Sequence, residues 1–108
     1  MLRITVLTPE KEIFRGPINS VKVPGTNGQF QVLRNHAAIV SSLQEGVVTI
    51  VTSKGEYQYF DITSGTILTD SEPDKVLTFH IKKGFIEVLN NEVSLLIQGV
   101  SNNNFGSR

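Results

Sequence analysis

The chain has 108 residues, 39% of them hydrophobic and 19% charged, with ten basic side chains against ten acidic ones and no cysteine. That is room for one core and not two. The zero net charge removes the basic excess that nucleic acid or an anionic membrane surface would select, and the lack of cysteine excludes disulfides and thiolate metal sites.

Nothing approaches the roughly 18 consecutive apolar residues of a membrane-spanning helix. The opening MLRITVLTP reaches Pro9 before a signal-peptide core could form, so the chain is expected to stay on the side of the membrane where it is made. Leu2, Ile4 and Val6 alternate with Arg3 and Thr5, which predicts a half-buried strand from Leu2 to Leu7. Thr8-Pro9-Glu10 turns the chain, Ile13 and Phe14 touch the core briefly, and Gly16-Pro17 is expected to turn it again. Val21 and Val23, alternating with Ser20 and Lys22, predict a second strand.

The stretch VPGTNGQFQVLRNHAAI follows, from Val23 to Ile39. Gly25 and Gly28 frame a polar turn that presents Thr26, Asn27 and Gln29 outward. Phe30 and Val32 resume a strand, and Arg34-Asn35 breaks it before His36-Ala37-Ala38. His36 to Gln44 is the one segment with room for a helical turn or two.

GVVTIVTS and EYQYF are β-prone runs joined through Lys54-Gly55, and they are expected to form a hairpin. In the first run Val48 and Ile50 share one face and Val47 and Val51 the other. In the second, Phe60 and Ile62 are expected to point inward, leaving Tyr57 and Tyr59 outside. A turn cluster, Asp70-Ser71-Glu72-Pro73-Asp74, separates two further runs, with Leu77, Phe79 and Ile81 facing inward. GFIEVLNNEVSLLIQ predicts a hairpin with Ile86, Val88, Val93, Leu95 and Ile97 inward and Asn90-Asn91 in a primed turn at its tip. Residues 1–100 are thus expected to form one all-β domain, a sandwich or flattened barrel of about ten strands, and 101–108 a disordered polar tail.

The chemistry of the sequence is sparse. His36 and His80 are the only histidines, and without convergent ligands no metal site is expected. His80 is expected on a solvated strand face, and Glu87 and Glu92 on a solvated edge. Neither GxGxxG nor GxxxxGK[ST] occurs, so no phosphate cradle and no cofactor are expected. No nucleophile-and-base spacing is visible, and the pattern favours a binding role over catalysis.

TPEKEIFRG, VPGTNGQF, NHA and GFIEVLNNEV, in that order, resemble the amino-terminal domain of the epsilon subunit of rotary F-type ATP synthases. The resemblance covers Leu2 to Asp61 and Lys83 to Leu96. It implies a ten-stranded β-sandwich on the central stalk, with gamma and the polar loops of the c-ring as direct partners and the alpha/beta catalytic head as an indirect one. It further implies no covalent chemistry, no insertion into the bilayer, and a peripheral place on the cytoplasmic face of the bacterial inner membrane.

Carried over by position, the ring contact falls on Thr26, Asn27, Gly28 and Gln29, and the gamma contact on Thr8, His36, Ala38 and Ser41. Two departures stand out. Acidic residues common at positions 27 and 29 are here Asn27 and Gln29, so no ion pair with a basic ring loop is expected. Pro-Gly-His-Ala-Pro is here Arg34-Asn35-His36-Ala37-Ala38, where Asn35 can supply the left-handed backbone of the missing Gly. Residues 61–82 are expected to hold an added hairpin or lengthened strands. Many members continue into two helices, whereas this sequence ends in an Asn-rich stretch, as expected either of a natural short form or of a piece of a longer chain. The rival reading is a free-standing carbohydrate- or peptide-binding module that stacks ligand on Tyr57 and Tyr59.

Overall fold

A computed structural model describes residues 1–61 and 63–101. The elements are β1 (Leu2–Leu7), β2 (Glu12–Gly25), β3 (Gly28–Val32), β4 (Ile39–Leu43), β5 (Gly46–Thr52), β6 (Tyr57–Asp61), β7 (Thr66–Asp70), β8 (Val76–Ile81), β9 (Lys83–Leu89) and β10 (Glu92–Gln98). The chain is all-β, as expected. The expected inward facing of Ile62 and the tail beyond Ser101 lie outside the described residues.

The 14-residue β2 organises the sheet. Its first half pairs with β1 on one edge and β6 on the other, and its second half with β3 and β5. Gly16-Pro17, expected to be a turn, lies within this strand. The Pro17 carbonyl accepts from Ser53 N–H at 3.3 Å, so the ring's missing N–H falls where β2 changes partner from β6 to β5 and no ladder bond is lost. At Gly16 an added Cβ would lie 2.3 Å from the Tyr57 Cβ, so only glycine lets β6 approach this closely.

The expected hairpin between Gly46 and Tyr59 does not form. β5 pairs with β2 and β8, and β6 with β2 and β7. The two runs are successive stretches along the same edge of β2, interrupted at Lys54-Gly55. Each run satisfies its backbone on different neighbours, and a local turn signal could not reveal that. Residues 61–82 hold β7, which closes a hairpin with β6, and β8, which extends the sheet beyond β5.

His36 to Gln44 holds a strand rather than helical turns. Ile39, Ser41 and Leu43 of β4 pair with Val88, Ile86 and Gly84 of β9, respectively, along the core side. The β9–β10 hairpin is as expected, with Asn90 at φ 50° and Asn91 at φ 64°, both in the left-handed region that a primed turn requires. Parallel pairing of β1 with β10 joins the first and last strands described.

The core gathers Leu2, Ile4, Val6, Phe14, Val21, Val48, Ile50, Phe79, Ile86 and Leu95, among others. Tyr57, expected outside, is 1% exposed. It stacks on Phe14 with ring centroids 5.4 Å apart, and the space left by Gly16 admits it. Phe60, expected inside, is half-buried with the Lys11 ammonium 3.9 Å above its ring. Ser101, expected to open the loose tail, exchanges two backbone hydrogen bonds of 2.9 Å with His80. His80 itself is half-buried, with Glu45 3.5 Å away.

Candidate docking face and polar end

The β2–β3 turn presents Thr26, Asn27, Gly28 and Gln29, all exposed. Gly28 takes φ 122°, a conformation that favours glycine and keeps the turn short. The turn is fastened to its neighbours: Thr26 N–H donates to the Ser42 carbonyl at 3.2 Å, and Gln44 N–H to the Pro24 carbonyl at 2.9 Å. The Thr26 and Ser42 hydroxyls lie 3.3 Å apart. The β4–β5 loop therefore sits beside the turn, and its exposed Glu45 brings an acidic group next to the neutral side chains of Thr26, Asn27 and Gln29.

The residues expected to meet gamma spread along one sheet. Thr8 lies at one end, where its hydroxyl donates to the Lys11 carbonyl at 3.0 Å and accepts from Lys11 N–H at 3.1 Å, closing the β1–β2 turn. His36 and Ala38 lie at the other end, against Leu89 and the β9–β10 tip. His36 Nδ1 is 2.7 Å from the Ala37 carbonyl, and the backbone N–H of His36 donates to the Leu33 carbonyl at 3.1 Å. Asn35 adopts φ 66°, the left-handed geometry expected of it. Ser41 is turned to the core side of β4, with its hydroxyl donating to the Ser42 carbonyl at 3.1 Å.

Two features of this face escaped sequence reasoning. The first is a clasp between Asn35 and Asn91. Asn35 N–H donates to Asn91 Oδ1 at 2.6 Å, and Asn91 Nδ2 donates to Asn35 Oδ1 at 3.2 Å. It ties the His36 corner to the β9–β10 tip across 56 residues of sequence.

The second is an apolar outer surface on β4, β9, β10 and β1. Register places Ser42, Phe85, Leu96 and Leu7 in one row, and Val40, Glu87, Ser94 and Thr5 in the next. Val40 is 70% exposed and Phe85 59%, with Leu89 and Leu96 near half. A groove of about 530 Å³ runs between Thr8, Ser42, Lys83, Phe85 and Leu96. The signal was present in GFIEVLNNEVSLLIQ, where Phe85, Leu89 and Leu96 are apolar at outward positions that an alternating strand would normally fill with polar groups.

Among the described residues no cluster of three or more His, Asp or Glu side chains could hold a metal ion, and no helix is long and apolar enough to cross a membrane. The Tyr57 hydroxyl is buried without a hydrogen-bond partner among the described residues. Burial first, and then the carboxylates of Asp70 and Glu72, push its pKa up to about 12. Burial and the same Asp70 raise that of Tyr59. Neither tyrosine opens onto the outer face of β4–β9–β10–β1.

A β-sandwich binding domain, with an apolar sheet face and a polar end, is the class that these features define. Residues 1–78 match the family described as ATP synthase, Delta/Epsilon chain, beta-sandwich domain, and the chain belongs to that family. The ATP synthase epsilon chain of Chlorobaculum tepidum is 38% identical over 98 residues, covering 91% of this chain and 90% of that one. That of Protochlamydia amoebophila is 42% identical over 64 residues, 59% of this chain and 44% of its own length. That of Salinibacter ruber is 30% identical over 99 residues, 92% of this chain and 59% of its own. The chain thus spans most of the first relative and about half of the other two.

The fold recurs in solved structures. One chain of the Euglena gracilis mitochondrial ATP synthase superposes with a TM-score of 0.69 at 17% identity, covering 93% of this chain and 52% of that one. One chain of the Tetrahymena thermophila mitochondrial ATP synthase gives 0.63 at 15%, covering 93% and 65%.

Proposed function

We propose that this chain is an epsilon-type rotor subunit of an F-type ATP synthase, coupling c-ring rotation to ATP synthesis in the catalytic head without catalysing a reaction itself. The observation that carries the reading is the β4–β9–β10–β1 face, whose exposed Val40, Phe85, Leu89 and Leu96 run between Thr8 at one end and the His36 corner at the other. The apolar row of Phe85, Leu96 and Leu7, with exposed Val40 and Leu89 set among Glu87, Ser94 and Thr5, suits a protein partner, and gamma is the occupant assigned to this face. The Thr26–Gln29 turn meets the polar loops of the c-ring through neutral hydrogen bonds, worth about 0.5–1.5 kcal/mol each. Placement on the cytoplasmic face of the membrane belongs to the same reading. Family membership and the stalk and c-ring assemblies in which the fold recurs support it.

The carbohydrate-binding alternative loses its platform, because Tyr57 is buried under β2 and cannot stack against a sugar. Surface plasmon resonance against gamma tests the proposal. His36→Asp, which places an unpaired charge in a desolvating contact, is expected to weaken gamma binding more than Asn27→Ala, with circular dichroism unchanged in both. Wild-type affinity for His36→Asp would remove the His36 corner from the interface. No affinity of the unaltered chain for gamma would end the reading.

A further inference from the structure

We propose that Asn27 is a site of spontaneous deamidation, through which the polar turn between β2 and β3 gains a negative charge with age. Asn27 is the only asparagine of the chain that is followed by glycine. An asparagine loses its amide when the backbone nitrogen of the next residue attacks its Cγ, and a side chain on that residue obstructs the attack. Gly28 has none, and a Cβ built there would meet nothing within 4 Å, so this flank of the turn lies open to water. Asn27 is exposed, and its side chain makes no hydrogen bond among the described residues. Other asparagines are tied. Asn19 Nδ2 donates to the Thr52 carbonyl at 3.0 Å and to Asp74 Oδ1 at 2.8 Å, and Asn35 and Asn91 hold each other. Gly25 and Gly28 form the closing pair of the hairpin, so attack needs only that pair to part while Pro24–Gln29 and Val23–Phe30 keep the register. Opening confined to a loop tip costs little free energy.

The Gly28 nitrogen gives up its proton and bonds to Asn27 Cγ, the Cγ–Nδ2 bond breaks, and ammonia leaves with that proton. The succinimide so formed takes up a water molecule. Breaking the new bond between Cγ and the Gly28 nitrogen restores the main chain and leaves aspartate. Breaking the bond between the Gly28 nitrogen and the Asn27 backbone carbonyl carbon instead leaves isoaspartate, whose main chain runs through the side-chain methylene and is longer by that group. Either product carries a carboxylate that is ionised at neutral pH, beside exposed Glu45 on the neighbouring loop. The effect of that charge on a ring contact rests on the rotor reading. The reaction itself does not.

Incubating the full chain in mildly alkaline buffer, folded and in guanidinium chloride, and mapping its peptides by mass spectrometry tests the proposal. The peptide holding Asn27 is expected to gain about one mass unit, to accept a methyl group from an isoaspartyl methyltransferase, and to convert ahead of every other asparagine. Its rate in the folded chain should lie within about tenfold of its rate in the unfolded one, because only the hairpin tip must open. Asn27→Gln, whose longer side chain would have to close a larger ring, is expected to hold its isoelectric point over the same interval. An Asn27 that survives in the folded chain while the unfolded chain converts overturns the proposal. So does earlier conversion of another asparagine, or acidification of Asn27→Gln at the wild-type rate.

Discussion

Replacing Asn91 by glycine removes the clasp on the His36 corner while sparing the turn that carries it. Asn91 sits at φ 64°, which glycine adopts without cost, so the β9–β10 tip keeps its shape and regains a few tenths of a kcal/mol of backbone strain. Lost are the bonds to Asn35 N–H at 2.6 Å and Asn35 Oδ1 at 3.2 Å. Each is worth about 0.5–1.5 kcal/mol net, and exposure puts both near the lower figure. The expected destabilisation is therefore about 1 kcal/mol, a fall in Tm of roughly 4–8 °C for a domain of this size.

A cycle with Asn35→Gly, which loses only the 3.2 Å bond, separates the two terms. The double variant should be little worse than Asn91→Gly alone. Urea denaturation supplies the stabilities, and amide exchange at Asn35 should quicken in Asn91→Gly and stay near wild type in Asn35→Gly. Strictly additive losses, or an Asn35 amide that exchanges at the wild-type rate in Asn91→Gly, would refute the clasp as an energetic unit.

Gly16→Ala forces a Cβ to 2.3 Å from the Tyr57 Cβ. It should cost at least about 1–3 kcal/mol, because backbone on two strands must shift; thermal unfolding reads this. Phe85→Asp should leave the fold intact and reduce gamma affinity by about tenfold or more, measured by calorimetry, since charge replaces an exposed apolar anchor. Tyr57 makes the domain sensitive to alkali. Below pH 10 the phenol is neutral in both folded and unfolded chains, so it adds no slope. Between pH 10 and about 12 only the unfolded chain ionises, and stability should fall by on the order of 3 kcal/mol. Tyr57→Phe should remove most of that slope, leaving the smaller one from Tyr59, at little cost near pH 7 because the hydroxyl has no partner among the described residues.

The strand faces that alternate strictly were legible in the sequence. Leu2, Ile4 and Val6, and the inward set of the last hairpin, needed only a period of two. The polar turn at Thr26–Gln29 and the Asn90-Asn91 tip were legible because backbone geometry restricts which residues can stand there. What failed was every inference that depended on a distant strand. Gly16-Pro17 reads as a turn until the seam between β6 and β5 is known, and Tyr57 reads as an outside residue until Gly16 makes room for it. Lys54-Gly55 has the chemistry of a hairpin, yet β2 offers both runs a better ladder than they offer each other. The proposed docking face was half legible: Thr8 and His36, its proposed ends, are named by family resemblance, while Phe85 and Leu96 stand out only once register aligns them across two strands.

The parallel pairing of β1 with β10 has a consequence for how the molecule is made. Leu2–Leu7 emerges from the ribosome early in synthesis, and Glu92–Gln98, the strand beside which it lies, emerges some ninety residues later. Until then the nascent chain can bring β1 and β2 together but leaves one edge of β1 bare and the apolar side of that ribbon uncovered. Closure must await synthesis through Gln98. With loop-closure entropy due before these distant contacts form, maturation falls in the slow, millisecond-to-second class. A chain shortened into Glu92–Gln98 would leave an unfinished sheet and a target for chaperones and proteases, rather than a smaller working domain.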